Sequence, residues 1–244
     1  MDKWNNKIAV VTGASSGIGA AIIKELANNG LIVIGLARRV ENIEKIANEF
    51  NGKIFAYKCD IGDLNSIKAA FNWIEEKFEK INIIINNAGM IAGVRIFDEG
   101  EVAEQKISST IDVNFTGLVF CTREAVRLIK KSEDYGMIIN IGSIRDFSIP
   151  FTSWPTIYPP TKHAVRAFSE IARQELIVSE HEKIKVSNIS PGLVKTGILS
   201  DQSFYDTRPH LASDDVAHAV VYLLSTPYNV NVTQLTIKPV GEKE

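Results

Sequence analysis

Seven short apolar runs recur along the chain: IAVVT (8–12), LIVIGLA (31–37), KIFAYKC (53–59), INIIIN (81–86), MIINI (137–141), IKVSNIS (184–190) and NVTQLTI (231–237). Most are continuously hydrophobic rather than alternating. A strand of that kind is covered on both faces, which is the situation inside a parallel sheet. Stretches of helical period fill the intervals, at 17–29, 64–79, 101–131, 157–178 and 213–225. The last of these offers Ser213 as an N-cap, with Asp214 and Asp215 in the first turn, where negative charge suits the helix dipole. Strands alternating with helices predict a doubly wound α/β fold of Rossmann type, with a parallel sheet and helices on both faces. A chain of 244 residues, 45% of them hydrophobic, has enough apolar material for one large core, so residues 1–244 read as a single domain.

The same numbers narrow the function. With a net charge of −2 the chain does not present the basic footprint of a nucleic-acid binder. Cys59 and Cys121 have neither disulfide-framework nor metal-site spacing, and the four histidines are scattered; reduced thiols and no metal are expected. The opening MDKWNNKIAVVTG runs into a strand without a signal-peptide core, and no apolar run reaches the roughly 18 residues of a membrane span. Glycosylation sequons at Asn114 and Asn231 then read as chance matches. The expectation is a cytoplasmic protein without a membrane span.

In a doubly wound sheet, ligands bind beyond the carboxyl ends of the strands. After the first strand comes TGASSGIG, in which Gly13, Gly17 and Gly19 open a helix and Ser15, Ser16 and Ile18 complete the turn. Glycines there let a pyrophosphate approach helix N-terminal amides. The spacing is T-G-x-x-x-G-x-G, and its place after a first strand favours dinucleotide binding over a structural turn. The second strand ends in Arg38 and Arg39, where an NAD enzyme commonly carries an acid for the ribose hydroxyls. Guanidinium forks suit a 2′-phosphate, so NADP(H) is favoured, with NAD(H) the alternative. Without that position, a solvated basic pair would be the simpler reading. Asp60 and Ile61 follow the third strand, where an acceptor can meet an adenine amino group. Asn87, Ala88 and Gly89 follow the fourth, a turn small enough to lie against a flat nucleoside.

TGASSGIG, NNAG, Ser143 after the fifth strand, the Y-x-x-x-K of Tyr158 and Lys162, and Pro191-Gly192, in that order, resemble the single-domain short-chain dehydrogenases/reductases over essentially the whole chain. MDKW, the LARR strand end and STPYNVNVTQLTIKP resemble the branch that holds insect farnesol dehydrogenase-like and vertebrate 17-beta-hydroxysteroid dehydrogenase-like enzymes. The resemblance implies an NADP-dependent interconversion of alcohol and carbonyl. Tyr158 would be the acid in reduction and the base in oxidation. Lys162, on the same helical face, would hold the nicotinamide ribose and, together with an oxidised nicotinamide's positive charge, lower the tyrosine pKa from its free value of about 10. Ser143 would bond the substrate oxygen, and Asn114 would hold a water linking Lys162 to solvent. Pro191 and Gly192 would bring backbone to the nicotinamide, and Val194 and Thr196 would bind its carboxamide and phosphate. Single-domain members are usually homodimers or homotetramers, through helices such as 101–131 and 157–178.

Three features depart from the pattern or extend it. Pro159 and Pro160 stand between Tyr158 and Lys162. A helix that begins near 156–158 places both in its first turn, whose amides have no intrahelical acceptor, so no bond is lost. Arg145 and Asp146 replace the family's usual small residues; a surface ion pair is favoured slightly over a pocket lining. Residues 193–212 make a long connection that reads as a substrate lid, with Ile198, Leu199, Phe204 and Tyr205 as apolar contacts. The expected ligand is a small lipophilic alcohol or ketone, isoprenoid or steroid. The rival readings are the same chemistry on a polar carbonyl substrate, and a non-catalytic NADP sensor or scaffold.

Overall fold

All seven apolar runs become strands of one parallel sheet. In chain order they are β1 (Ile8–Thr12), β2 (Ile32–Ala37), β3 (Ile54–Lys58), β4 (Ile83–Asn86), β5 (Gly136–Ile141), β6 (Ile184–Pro191) and β7 (Gln234–Ile237). The computed structural model describes residues 1–149, 151, 156–199 and 201–243. Strand order is β3-β2-β1-β4-β5-β6-β7, every pair parallel. The order reverses between β1 and β4, which opens a crevice at their carboxyl ends.

Successive strand residues face opposite layers. Ala9 and Val11 of β1, with Ile83 and Ile85 of β4, join one buried cluster; Val10 and Ile84 join the other. Helices α1 (Gly17–Asn28) and α7 (Ser213–Ser225) cover the first face through Ile22, Ile23, Leu26, Val220 and Leu223. On the second, α3 (Leu64–Phe78) and α5 (Gly117–Lys130) contribute Ile67, Phe71, Ile74, Ala125 and Leu128. Each fully buried side chain of this size is worth about 1.5–3 kcal/mol, so the two-sided burial fixes register as well as fold.

Four details differ from the sequence reading. An unanticipated helix, α2 (Val40–Ala47), follows the arginine pair; Val40, Ile43, Ile46 and Ala47 recur at helical spacing, a signal the sequence reading passed over. The stretch expected as one helix over 101–131 is α4 (Glu101–Ile111), a π-helical turn (Asp112–Thr116) and α5. Ala212, not Ser213, precedes α7, because the Asp215 carboxylate accepts the Ala212 N–H at 2.8 Å and places Ser213 inside the helix. The last strand is shorter than 231–237, since the Asn231 side chain bridges to the backbone of Val186 instead. The helix carrying the two prolines, α6 (Tyr158–Val178), starts where expected.

Candidate active site

A cleft of roughly 520 Å³ runs along the carboxyl ends of the strands. One end of it is made by Gly13, Ser15, Ser16, Gly17 and Ile18. Gly13 and Gly17 hold φ of 67° and 54°, in the left-handed region that glycine tolerates. Gly19 lies behind the turn rather than in the wall. The turn is stitched to the end of β4: the backbone N–H groups of Asn87 and Ala88 donate to Thr12 Oγ1 at 3.0 Å, and Asn87 Nδ2 donates to Thr12 O at 3.0 Å. Thr12 was not anticipated as a site residue. Its role depends on a partner 75 positions away, which no local motif reveals.

Arg38 and Arg39 stand exposed at the cleft's outer end, and Arg39 donates to Ser16 Oγ at 3.2 Å. Guanidinium groups thus flank the glycine-rich turn. Cys59, Asp60 and Ile61 line the neighbouring wall. Burial pushes the Cys59 thiol up to about 11, so it stays protonated and inert at neutral pH. One Asp60 oxygen accepts the Gly62 N–H at 3.0 Å. Asn87, Ala88 and Gly89 line the cleft as expected, joined by Met90, Ile91, Val113, Ile141 and Gly142, whose apolar or small character gave no signal.

At the inner end, α6 delivers Tyr158 and Lys162 to one wall, with Lys162 Nζ 5.7 Å from the Tyr158 ring centroid. The prolines allow this because the first turn has no amide left to satisfy: Tyr158 N–H donates to Thr156 Oγ1 at 3.3 Å and Thr161 N–H to Ile157 O at 3.3 Å. Lys162 is buried and donates to Ile141 O at 2.8 Å. Burial lowers its pKa to about 8, partly opposed by the negative charge of Asp146. Ser143 stands beside Tyr158, whose pKa its side chain lowers, and its Oγ accepts the Arg145 N–H at 3.1 Å.

The protein's own groups do not lower Tyr158: burial pushes it up to about 12, Asp146 adds to the rise, and Ser143 and Arg145 oppose it, so the lowering expected with an oxidised nicotinamide rests on that group's charge. Lys162, itself desolvated and bonded to a carbonyl, does not offset that cost. The Asn114 amide is consumed within the protein, accepting Met90 N–H at 2.8 Å and donating to Met90 O at 2.9 Å and Thr161 Oγ1 at 3.2 Å. Asn114 lies in the π-helical turn, a kind of helix distortion frequent at functional sites. Asp146 forms no surface ion pair; it is fully buried.

Of the connection after β6, Thr196, Gly197 and Ile198 line the cleft. Pro191 pairs with Ile237, Gly192 N–H donates to Ile237 O at 2.8 Å, and the Val194 side chain belongs to the core. These three contribute backbone at most. Tyr205 is 2% exposed, its hydroxyl donating to Thr196 O at 3.2 Å; it anchors the connection from below and does not face a substrate. Phe204 lies outside the cleft lining, partly exposed, with the Arg208 guanidinium 3.8 Å from its ring centroid. Leu199 is also outside the lining, its carbonyl accepting from Gln202.

Comparison with known proteins agrees with this arrangement. Residues 7–204 match the family model for short chain dehydrogenase. Farnesol dehydrogenase of Aedes aegypti is 41% identical over 247 residues, covering 100% of both chains. Dehydrogenase/reductase SDR family member 11 of Mus musculus is 37% identical over 254 residues, covering 98% of this chain and 96% of its own. An alcohol dehydrogenase from the archaeon Thermococcus sibiricus, solved in complex with 5-hydroxy-NADP, superposes with a TM-score of 0.82 at 26% identity, covering 98% of each chain. The chain belongs to the short-chain dehydrogenase family of oxidoreductases. Among the described residues, no helix is long and apolar enough to cross a membrane.

Proposed function

We propose that the protein is an NADP(H)-dependent oxidoreductase that interconverts an alcohol and a carbonyl on a lipophilic substrate. The observation that carries this reading is the shared wall of Tyr158 and Lys162, with Ser143 beside the tyrosine, in the cleft that begins at the glycine-rich turn. The donor set suits a dinucleotide phosphate. Helix N-terminal amides and two exposed guanidiniums supply positive potential, and a Cβ on Gly17 would stand 3.3 Å from Thr196 Cγ2, a tight contact that glycine avoids. When bound, the nicotinamide dinucleotide supplies the hydride acceptor or donor.

The side chains do the rest. Ser143 and Tyr158 hold the substrate oxygen. Tyr158, with its pKa raised to about 12, is a neutral phenol at working pH and so is poised to donate its proton as a carbonyl is reduced. For alcohol oxidation the phenol needs further positive charge nearby, which an oxidised nicotinamide brings. Lys162 holds the ribose hydroxyls and the backbone of Ile141 at once.

NADP(H) preference rests on Arg38 and Arg39 and on the NADP derivative bound by the archaeal neighbour. A lipophilic substrate is supported by the name of the mosquito relative and by Ile198 in the cleft wall. Exposed Val102 on α4 and Ile171 and Val178 on α6 support self-association through these helices. The deciding experiment is a turnover screen of isoprenoid alcohols, steroid ketones and polar carbonyl compounds with NADPH, NADP⁺, NADH and NAD⁺. Turnover of lipophilic substrates with the phosphorylated cofactor is expected; cofactor binding without turnover of any substrate supports the sensor reading instead.

A further inference from the structure

Asp146 sits in a position that the proposed chemistry does not use, yet it is the most deeply buried acid near the site. It has no exposed surface, and it closes the short 3₁₀ turn that begins at Ser143. Its Oδ1 accepts the Ser143 N–H at 3.0 Å. Its Oδ2 accepts from Asn188 Nδ2 at 2.7 Å and from the Ser190 hydroxyl, both on β6. Gln234 of β7 backs this pair, donating to Ser190 Oγ at 2.8 Å and accepting from Asn188 Nδ2 at 3.0 Å. All three partners of the carboxylate donate, which favours the ionised form and opposes the rise in its pKa that burial causes.

The carboxylate also abuts the cleft. A Cβ on Gly142, a residue of the cleft wall, would stand 2.1 Å from Asp146 Oδ2. Only glycine backbone therefore separates the charge from the space where Tyr158 and Lys162 act. We propose that Asp146 is a positioning residue of this site: it clamps the turn that presents Ser143, and it supplies a fixed negative charge behind Lys162 and Tyr158. The proposal rests on the oxidoreductase reading above.

The charged and titratable groups facing it are Lys162 and Tyr158 of α6 and its neighbour Arg145; β6 and β7 contribute the neutral Asn188, Ser190 and Gln234. A negative charge favours ammonium and disfavours phenolate, so it raises both pKa values. Removing it must lower both. NADPH binding, which needs protonated Lys162, should be strong below about pH 8 and weaken above it. The alkaline limb of carbonyl reduction should follow Tyr158.

The test compares the parent with Asp146→Asn, which keeps shape and an acceptor for the Ser143 N–H, and with Asp146→Ser, a smaller neutral side chain that serves if the first variant fails to fold. NADPH affinity is read by nicotinamide fluorescence across pH, and kcat and KM for a ketone are measured over the same range. Expected is an acidward shift of both limbs by about half a unit to one unit, with NADPH affinity at pH 6 within threefold of the parent. Limbs that coincide in parent and folded variant, in a parent that binds and turns over, overturn this inference alone. A parent that neither binds NADPH nor turns over refutes the oxidoreductase reading and this inference with it.

Discussion

Gly19→Ala should weaken the protein and its cofactor site together. Gly19 lies in the first turn of α1, where alanine would ordinarily help the helix by about 0.5–1 kcal/mol. Here the added Cβ would stand 2.3 Å from Gly13 O, 2.9 Å from Gly13 C and 2.6 Å from Asn87 Nδ2. Comfortable carbon contacts begin at about 3.5 Å, so the overlap is about 1 Å against backbone. Relief requires moving the Gly13 peptide and also moving the Asn87 amide off Thr12 O and Gly13 O. Overpacking costs about 1–3 kcal/mol and each lost hydrogen bond about 0.5–1.5 kcal/mol. After the helix gain is set against these, a loss of about 2–3 kcal/mol remains, which for this chain length lowers Tm by about 5–10 °C. Because Gly13 is itself part of the phosphate turn, NADPH affinity should fall by about tenfold or more, equivalent to 1.4 kcal/mol. The comparator is Gly197→Ala, whose Cβ meets nothing within 4 Å and should change stability by less than about 0.5 kcal/mol. Calorimetry and fluorescence titration read both quantities. If Gly19→Ala melts with the parent and binds NADPH equally well, the packing argument for the turn is wrong.

Tyr158→Phe should leave NADPH binding intact while carbonyl reduction drops by about 10² to 10⁴-fold, as expected for loss of a general acid; near-parental turnover in steady-state assays would remove Tyr158 from its role. Arg38→Asp should move preference from NADPH toward NADH, since a charge-assisted bond to the 2′-phosphate is worth about 1.5–3 kcal/mol; a parent that already prefers NADH refutes the assignment. Along a homologous series of alcohols, kcat/KM should climb about fourfold per added methylene until the pocket is full, from about 0.8 kcal/mol each. Because Phe204 lies outside the cleft lining, Phe204→Ala should change that slope only if the connection closes over bound substrate; a flat series in both proteins counts against a lipophilic site.

The strands were legible because a parallel strand is buried on both sides, so its apolar run is unbroken whatever it packs against. The glycine-rich turn, the NNAG turn and the Tyr158–Lys162 pair were legible for a different reason: each is a local arrangement whose residues are close in sequence. What escaped notice depends on distant partners. Asp146 read as a surface charge because acids are seldom buried, and the donors that make its burial tolerable, Asn188 and Ser190, lie more than 40 residues away. Tyr205 read as a substrate contact because an aromatic in a long connection looks available; its packing under Thr196 appears only in three dimensions. The rise of the Tyr158 pKa from the protein's own groups was not legible, because spacing shows a nearby lysine but not the desolvation around the phenol.

The paired prolines have a consequence for how a ligand can enter. Most helix starts offer several free N–H groups and so attract anions. At the start of α6, residues 159 and 160 have no N–H, and those of Tyr158 and Thr161 are already occupied by Thr156 and Ile157. The glycine-rich start of α1, across the same cleft, keeps its donors for a guest. The two helix starts thus differ in kind, one with backbone donors open and one without. A dinucleotide bound as proposed would turn its phosphates toward α1 and leave Tyr158 and Lys162, rather than helix amides, to meet its other end.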